Sequence, residues 1–230
     1  ILVLLDTHMR LDASQLSPLL EGLLRRLMYV SAQDHEASQT LSKQLNAVVL
    51  RILSMSHGDD VYQALFSLLV STTADVAAGD QAQLAELVVK CLWKVARKLP
   101  AALEAKQVHA EALLRSVEGF FEAIPPSEWA QRAQKHVPLR DIPLITATNV
   151  LKQLTDTLGE GALAATDAWT EPEKTHVYRY LLRLLHGPSP PPAADAPSSP
   201  PPRVPSPAPP APPAASDLSL IHISEPTRLL

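Results

Sequence analysis

Between Glu86 and Pro100 the stretch ELVVKCLWKVARKLP brings a thiol, an indole and four cations into fifteen residues. Two chemistries use such groups. A cysteine can serve as a nucleophile, but its reactive form is the thiolate, which needs a nearby base and an orienting partner, and the neighbouring residues offer no pattern for either. A row of cations can meet an acidic surface. On a helix Val88, Cys91, Leu92, Val95 and Leu99 share one face, Lys90, Lys94, Arg97 and Lys98 share the other, and Trp93 lies on the border. The apolar face reads as core, with Cys91 in it as a small hydrophobe. The basic face has two readings: a solvated face whose cations oppose the negative end of the helix dipole, or a contact for an acidic protein surface such as the acidic tails of a cytoskeletal polymer. A second candidate surface is PPSEWAQRAQKH, where Trp129 starts a helix after a proline turn and Arg132 and Lys135 follow on the same helix. Trp129 is there either an exposed anchor for a partner or a side chain packed on the preceding helix.

Other chemistry finds little material. The histidines up to His186 show no i, i+4 pairing and no C-x-x-C-like spacing, so no metal centre is expected. Seven glycines leave little room for a phosphate-cradling loop, and no G-x-S-x-G elbow occurs, so the expectation is a protein without cofactor that is not an enzyme. Asp59–Asp60 and Glu171/Glu173 read as helix-start acids near Val61 and Val177.

The elements that must carry these residues are helices. Leu16, Leu19, Leu20, Leu23, Leu24 and Leu27 recur at i, i+3, i+4 spacing, as do Leu45, Val48, Val49 and Ile52, and then Val61, Leu65, Leu68 and Leu69. Further helical stripes run from Leu84 to Leu99, Val108 to Phe121, Leu144 to Leu158 and Val177 to Leu185, and no convincing period-2 segment interrupts them. Breakers fall between the stripes at Ser56–Asp60, Ala78–Asp80, Pro100, Pro125–Pro126, Pro138, Gly159–Gly161 and Glu171–Pro172. Short connections make consecutive helices antiparallel neighbours. VVLRIL at Val48 recurs as VVKCLW at Val88, an offset of 40 residues, which is the period of HEAT repeats. The expected fold is therefore all-α: an α-solenoid of HEAT-like antiparallel helix pairs over residues 1–186, followed by a disordered proline-rich tail.

Composition sets the outer limits. Fifteen of the 22 prolines follow His186, so residues 187–217 read as a disordered linker with local polyproline II character, too poor in apolar side chains to offset chain-ordering entropy. Residues 218–230, with LSLIHISEPTR, read as an in-frame translation of a sequencing adapter and are set aside. The chain opens at Ile1, and an internal piece of a longer protein is expected. One cysteine allows no internal disulfide. A formal net charge of −4 with both signs interspersed argues against a nucleic-acid binder driven by charge, and no apolar run approaches the roughly 18 residues of a membrane span.

With Lys90–Cys91–Leu92–Trp93 as its distinctive core, the opening stretch resembles the C-terminal region of the TOG-domain microtubule polymerases, the colonic and hepatic tumour overexpressed protein family. The resemblance extends to LDTHMRLD at Leu5, LNAVVLRIL at Leu45 and VPLRDI at Val137, and so covers most of the first 160 residues. It implies the last, TOG-like unit of an array in a spindle and centrosome protein that promotes plus-end growth by delivering tubulin. It also implies a cytoplasmic, cytoskeletal location at spindle poles, centrosomes and plus ends. Microtubules and tubulin would be partners of the full-length protein, and transforming acidic coiled-coil proteins would bind a downstream segment that this chain lacks. In the family's tubulin-carrying units a tryptophan sits in the first intra-repeat loop. Here Trp93 falls within a helix, and the first inter-helix turn, VSAQDHEASQ, holds neither tryptophan nor lysine. That departure implies a targeting or spacer role for this unit. The alternative is a HEAT adaptor scaffold unrelated to tubulin.

Overall fold

The computed structural model describes residues 11–187 apart from 34, 75–78 and 136. Its described residues form α1 (Ala13–Ser31), α2 (Glu36–Met55), α3 (Gly58–Thr73), α4 (Asp80–Ala96), α5 (Leu99–Glu104), α6 (Ala110–Ala123), α7 (Pro126–Gln134), α8 (Ile142–Leu158), α9 (Gly161–Ala164) and α10 (His176–His186), with a 3-10 turn at Pro172–Lys174. No strand occurs among the described residues. The chain is all-α, as the apolar periodicity implies. The proline-rich tract from Pro188 onward and the segment 218–230 lie outside the described residues.

The helices pack as stacked hairpins. α1 lies against α2 and α3, α3 against α4 and α6, and α6 against α10, so α1, α3, α6 and α10 follow one another in one row. α4 and α8 are neighbours in a second row behind it, while α2 meets the rest of the domain mainly through α1. This arrangement explains where the 40-residue echo holds and where it fails. Val49 and Val89 are both buried, as are Ile52 and Leu92. Arg51 is exposed whereas its counterpart Cys91 is buried, because α4 has α3, α1 and α8 around it and α2 does not. The core runs continuously from Leu16, Leu20 and Leu24 through Tyr62, Leu65 and Leu69 to Leu113, Val117, Leu151, Leu154 and Leu181. Each such side chain contributes about 1.5–3 kcal/mol when fully buried.

Two points differ from the sequence reading, the end of α4 and the role of Glu171, each for a local reason. The predicted helix from Leu84 to Leu99 stops at Ala96; Arg97 and Lys98 form a turn, and Leu99 opens α5 with Pro100 in its first turn. Pro100 is thus a helix starter, at a position where its missing N–H has no helical partner to lose. Asp59 and Asp60 stand in the first turn of α3, as helix-start acids, and Asp59 Oδ1 in addition accepts the backbone N–H of His109 at 2.7 Å, at the start of α6. Glu171 pairs with Lys174 and leaves α10 alone. The start of α10 is held instead by Thr175 Oγ1, which accepts Tyr178 N–H at 3.2 Å, and by Glu118 of α6. Glu118 is 7% exposed, and its two oxygens accept the N–H groups of His176 (2.9 Å) and Val177 (2.7 Å), satisfying amides that a helix N-terminus otherwise leaves bare.

Candidate functional site

The inward face of α4 decides what its outward face can present. Leu84, Val88, Cys91, Leu92 and Ala96 are buried, which turns Gln83, Glu86, Trp93, Lys94 and Arg97 to the surface, with Lys90 half-buried beside them. Cys91 is fully buried, and burial pushes its thiol up to about 12, so at neutral pH it is protonated and out of reach of a substrate.

Trp93, which the periodicity left on the border, is 41% exposed yet fixed in place. Its indole N–H donates to Thr146 Oγ1 on α8 at 3.0 Å, and the Thr146 hydroxyl in turn donates to the Ile142 carbonyl at 2.8 Å. The indole is therefore anchored at its polar edge with part of its apolar surface open, and Ile145, 44% exposed, adjoins the anchoring threonine. On the helix Lys90 lies one turn before Trp93, Arg97 one turn after, and Lys94 beside it. The cations are not equivalent. Lys90 is paired with Glu86 at 2.9 Å, whereas Lys94 and Lys98 are exposed. Arg97 and Lys98 occupy the α4–α5 turn, where they still oppose the carbonyl end of α4. A rigid, half-open aromatic with a cationic border can dock a complementary acidic surface.

The second candidate surface divides. Trp129 is 2% exposed: it stacks on Phe120 with ring centroids 5.8 Å apart and donates its indole N–H to the Ile124 carbonyl at 3.3 Å. It is the packed side chain of the two readings. Arg132 is 5% exposed and equally unavailable to a partner. Its guanidinium lies over the Trp129 ring at 4.9 Å, donates to the Thr73 carbonyl and to the Ala74 carbonyl at the end of α3, and pairs with Glu128 at 2.6 Å. Both were candidate contacts, Trp129 with packing as its other reading, and both serve the interior: Trp129 on Phe120, and Arg132 because the end of α3 supplies bare carbonyls that a buried cation satisfies. Lys135 remains exposed, on an open groove that Pro125, Glu128 and Val137 also line.

The fold also joins groups that sequence spacing keeps apart. His57 and Asp59, at the start of α3, meet His109, at the start of α6, 50 residues away. Asp59 Oδ2 lies 2.7 Å from His109 Nδ1 and 3.7 Å from His57 Nδ1. Pairing within a helix or a short motif, the signal sought in the sequence, is blind to this contact, as it is to the Trp93–Thr146 bond across 53 residues.

Set beside known proteins, the chain matches no family model and no solved structure. It is 20% identical over 162 residues to Centrosomal protein 224 of Dictyostelium discoideum, a match that covers 69% of this chain and 8% of that protein's length. No described helix is long and apolar enough to cross a membrane. A helical chain that resembles one short part of a large centrosomal protein is thus what the residues, the packing and the comparison jointly describe.

Proposed function

We propose that this chain is a non-catalytic interaction and targeting unit of a microtubule-associated plus-end polymerase acting at spindle and centrosome. The outer face of α4 is its contact with the acidic surface of the microtubule. The observation that carries the reading is Trp93, pinned by Thr146 and bordered by Lys90, Lys94 and Arg97. The likeness to a centrosomal protein supports the location, and the buried, protonated Cys91 supports a role without covalent chemistry. In this reading Lys94 and Lys98 supply the long-range attraction and Trp93 the short-range contact. Lys135 lies on a separate, weaker surface. Any binding of transforming acidic coiled-coil proteins belongs to a downstream segment of the full-length protein.

Co-sedimentation of the chain with microtubules across a salt series tests this, with size-exclusion against free tubulin in parallel. Pelleting that weakens with added salt, and weakens further in Lys94→Glu/Lys98→Glu, is the expected result, since exposed charges are screened over about 10 Å at 0.1 M salt. Pelleting that the double variant leaves unchanged would remove the α4 face. Absence of binding to either tubulin form would favour a HEAT adaptor unrelated to tubulin.

A further inference from the structure

We propose that His57, Asp59 and His109 form a binding site for a divalent transition-metal ion of the Zn²⁺ type, which clasps the α2–α3 connection to the α5–α6 connection. One ligand atom from each residue lies within 4.8 Å of the other two. Zinc holds imidazole nitrogen and carboxylate oxygen at about 2.0–2.2 Å, so the edge between two ligand atoms of a tetrahedral site is roughly 3.3 Å. The two measured edges, 2.7 Å from Asp59 Oδ2 to His109 Nδ1 and 3.7 Å to His57 Nδ1, lie on either side of that value. Sub-ångström side-chain adjustments bring both to it.

Three independent features hold the ligands in place. His57 and His109 are the N-cap residues of α3 and α6, and neither side chain caps its own helix. N-caps favour short side chains with an oxygen acceptor, so two histidines there forgo the usual gain, and their rings turn instead to Asp59. The backbones meet because residue 58 is glycine: a Cβ at Gly58 would lie 2.3 Å from Val108 Cγ2 and 2.6 Å from the Gln107 carbonyl oxygen. Finally, Asp59 Oδ1 is fixed by the His109 N–H at 2.7 Å, which aims Oδ2 at the two imidazoles, as an outer hydrogen bond orients a metal-bound carboxylate. The rings are nearly parallel, 19° apart, with centroids 6.0 Å from each other, so they face one another without touching closely.

The donor set selects the metal. Two imidazoles and one carboxylate suit Zn²⁺ and its first-row neighbours; Ca²⁺ and Mg²⁺ call for more oxygens. His57 and His109 are exposed, which leaves a fourth position for water or for a side chain of a partner. On binding, the ion takes the Nδ1 lone pair of His109, and the ring keeps its single proton on Nε2, so that Asp59 Oδ2 is freed from the Nδ1 contact to join the ion.

The test is calorimetric titration of the metal-stripped full chain with ZnCl₂, repeated in His57→Ala, His109→Ala and Asp59→Asn. His35→Ala serves as a control because His35 is an exposed N-cap histidine on α2, outside the cluster. The expected result is one equivalent bound by the parent chain and the control, at least tenfold weaker binding in each cluster variant, and a raised melting temperature only where the ion binds. No uptake, or uptake that the cluster variants leave unchanged, overturns the proposal. Histidine ring resonances of the parent chain give a second readout that needs no variant. Zn²⁺ should shift the His57 and His109 signals together at one equivalent, and shifts confined to other histidines overturn the site.

Discussion

Two tryptophans in this chain sit in near-identical company and take opposite roles. Trp93 is followed by Lys94, Arg97 and Lys98, and Trp129 by Arg132 and Lys135. The first indole is exposed on the outer face of α4, while the second is sealed between α6 and α7 with Arg132 folded back over it. What separates them is what stands opposite. α8 offers Trp93 a single hydroxyl at the edge of the ring. The α3 terminus offers Arg132 bare carbonyls, and Phe120 offers Trp129 a ring to stack on. An aromatic with basic neighbours in a sequence therefore does not by itself say whether its face is open or sealed; the element opposite it decides.

The contrast can be strained from several sides. Trp129→Ala should cost about 3–5 kcal/mol in denaturant unfolding, the range for truncating a large buried aromatic, and should leave microtubule pelleting of the still-folded fraction unchanged. Arg132→Ala should cost about 2–4 kcal/mol, since it strands the α3 carbonyls and Glu128 together. The interior of α4 gives an effect of intermediate size. The Cys91 thiol is raised from 9.0 to about 12 by burial, so the folded state holds this proton more tightly. Its contribution is complete below pH 9 and is lost as pH rises toward 12; unfolding curves should show stability falling by on the order of 1 kcal/mol per pH unit above pH 9 from this group, a slope removed in Cys91→Ala. Trp93→Ala should cost only about 1 kcal/mol of stability, one hydrogen bond and a half-open ring, yet diminish pelleting. Lys94→Glu with Lys98→Glu should change stability by no more than about 0.5 kcal/mol while removing the salt-sensitive part of pelleting. Equal stability losses in the two tryptophan variants would erase the distinction.

The helices were legible because their signal is local. Stripes such as Leu45, Val48, Val49 and Ile52 repeat within a few residues, and the breakers around Gly58, Gly79 and Gly159 fall at the observed connections. The opposite orientations of Trp93 and Trp129 were not, since each depends on a partner far along the chain: Thr146, 53 residues on, and the Thr73 carbonyl, 59 residues back from Arg132. The same holds for His57 and His109. Pro100 was misread for another reason, because a proline ends a helix or begins one according to which side of it the periodicity continues. The short α5 that follows carries too few residues to show a period.

Glu118 places a mechanical joint in the molecule. The last helix borrows two of its N-terminal acceptors from α6 and buries Val177 and Leu181 against its neighbours, and the chain leaves this helix at Gly187. A pull applied beyond Gly187 is therefore borne first by an eleven-residue helix whose far end is held by Glu118 and Thr175. Under tension that helix is the element placed to peel away first, and its departure would bare the Glu118 carboxylate while the hairpins before it stay stacked. A tether that yields one helix at a time converts load into added chain length, and it does so at the end of the domain from which the proline-rich tract departs.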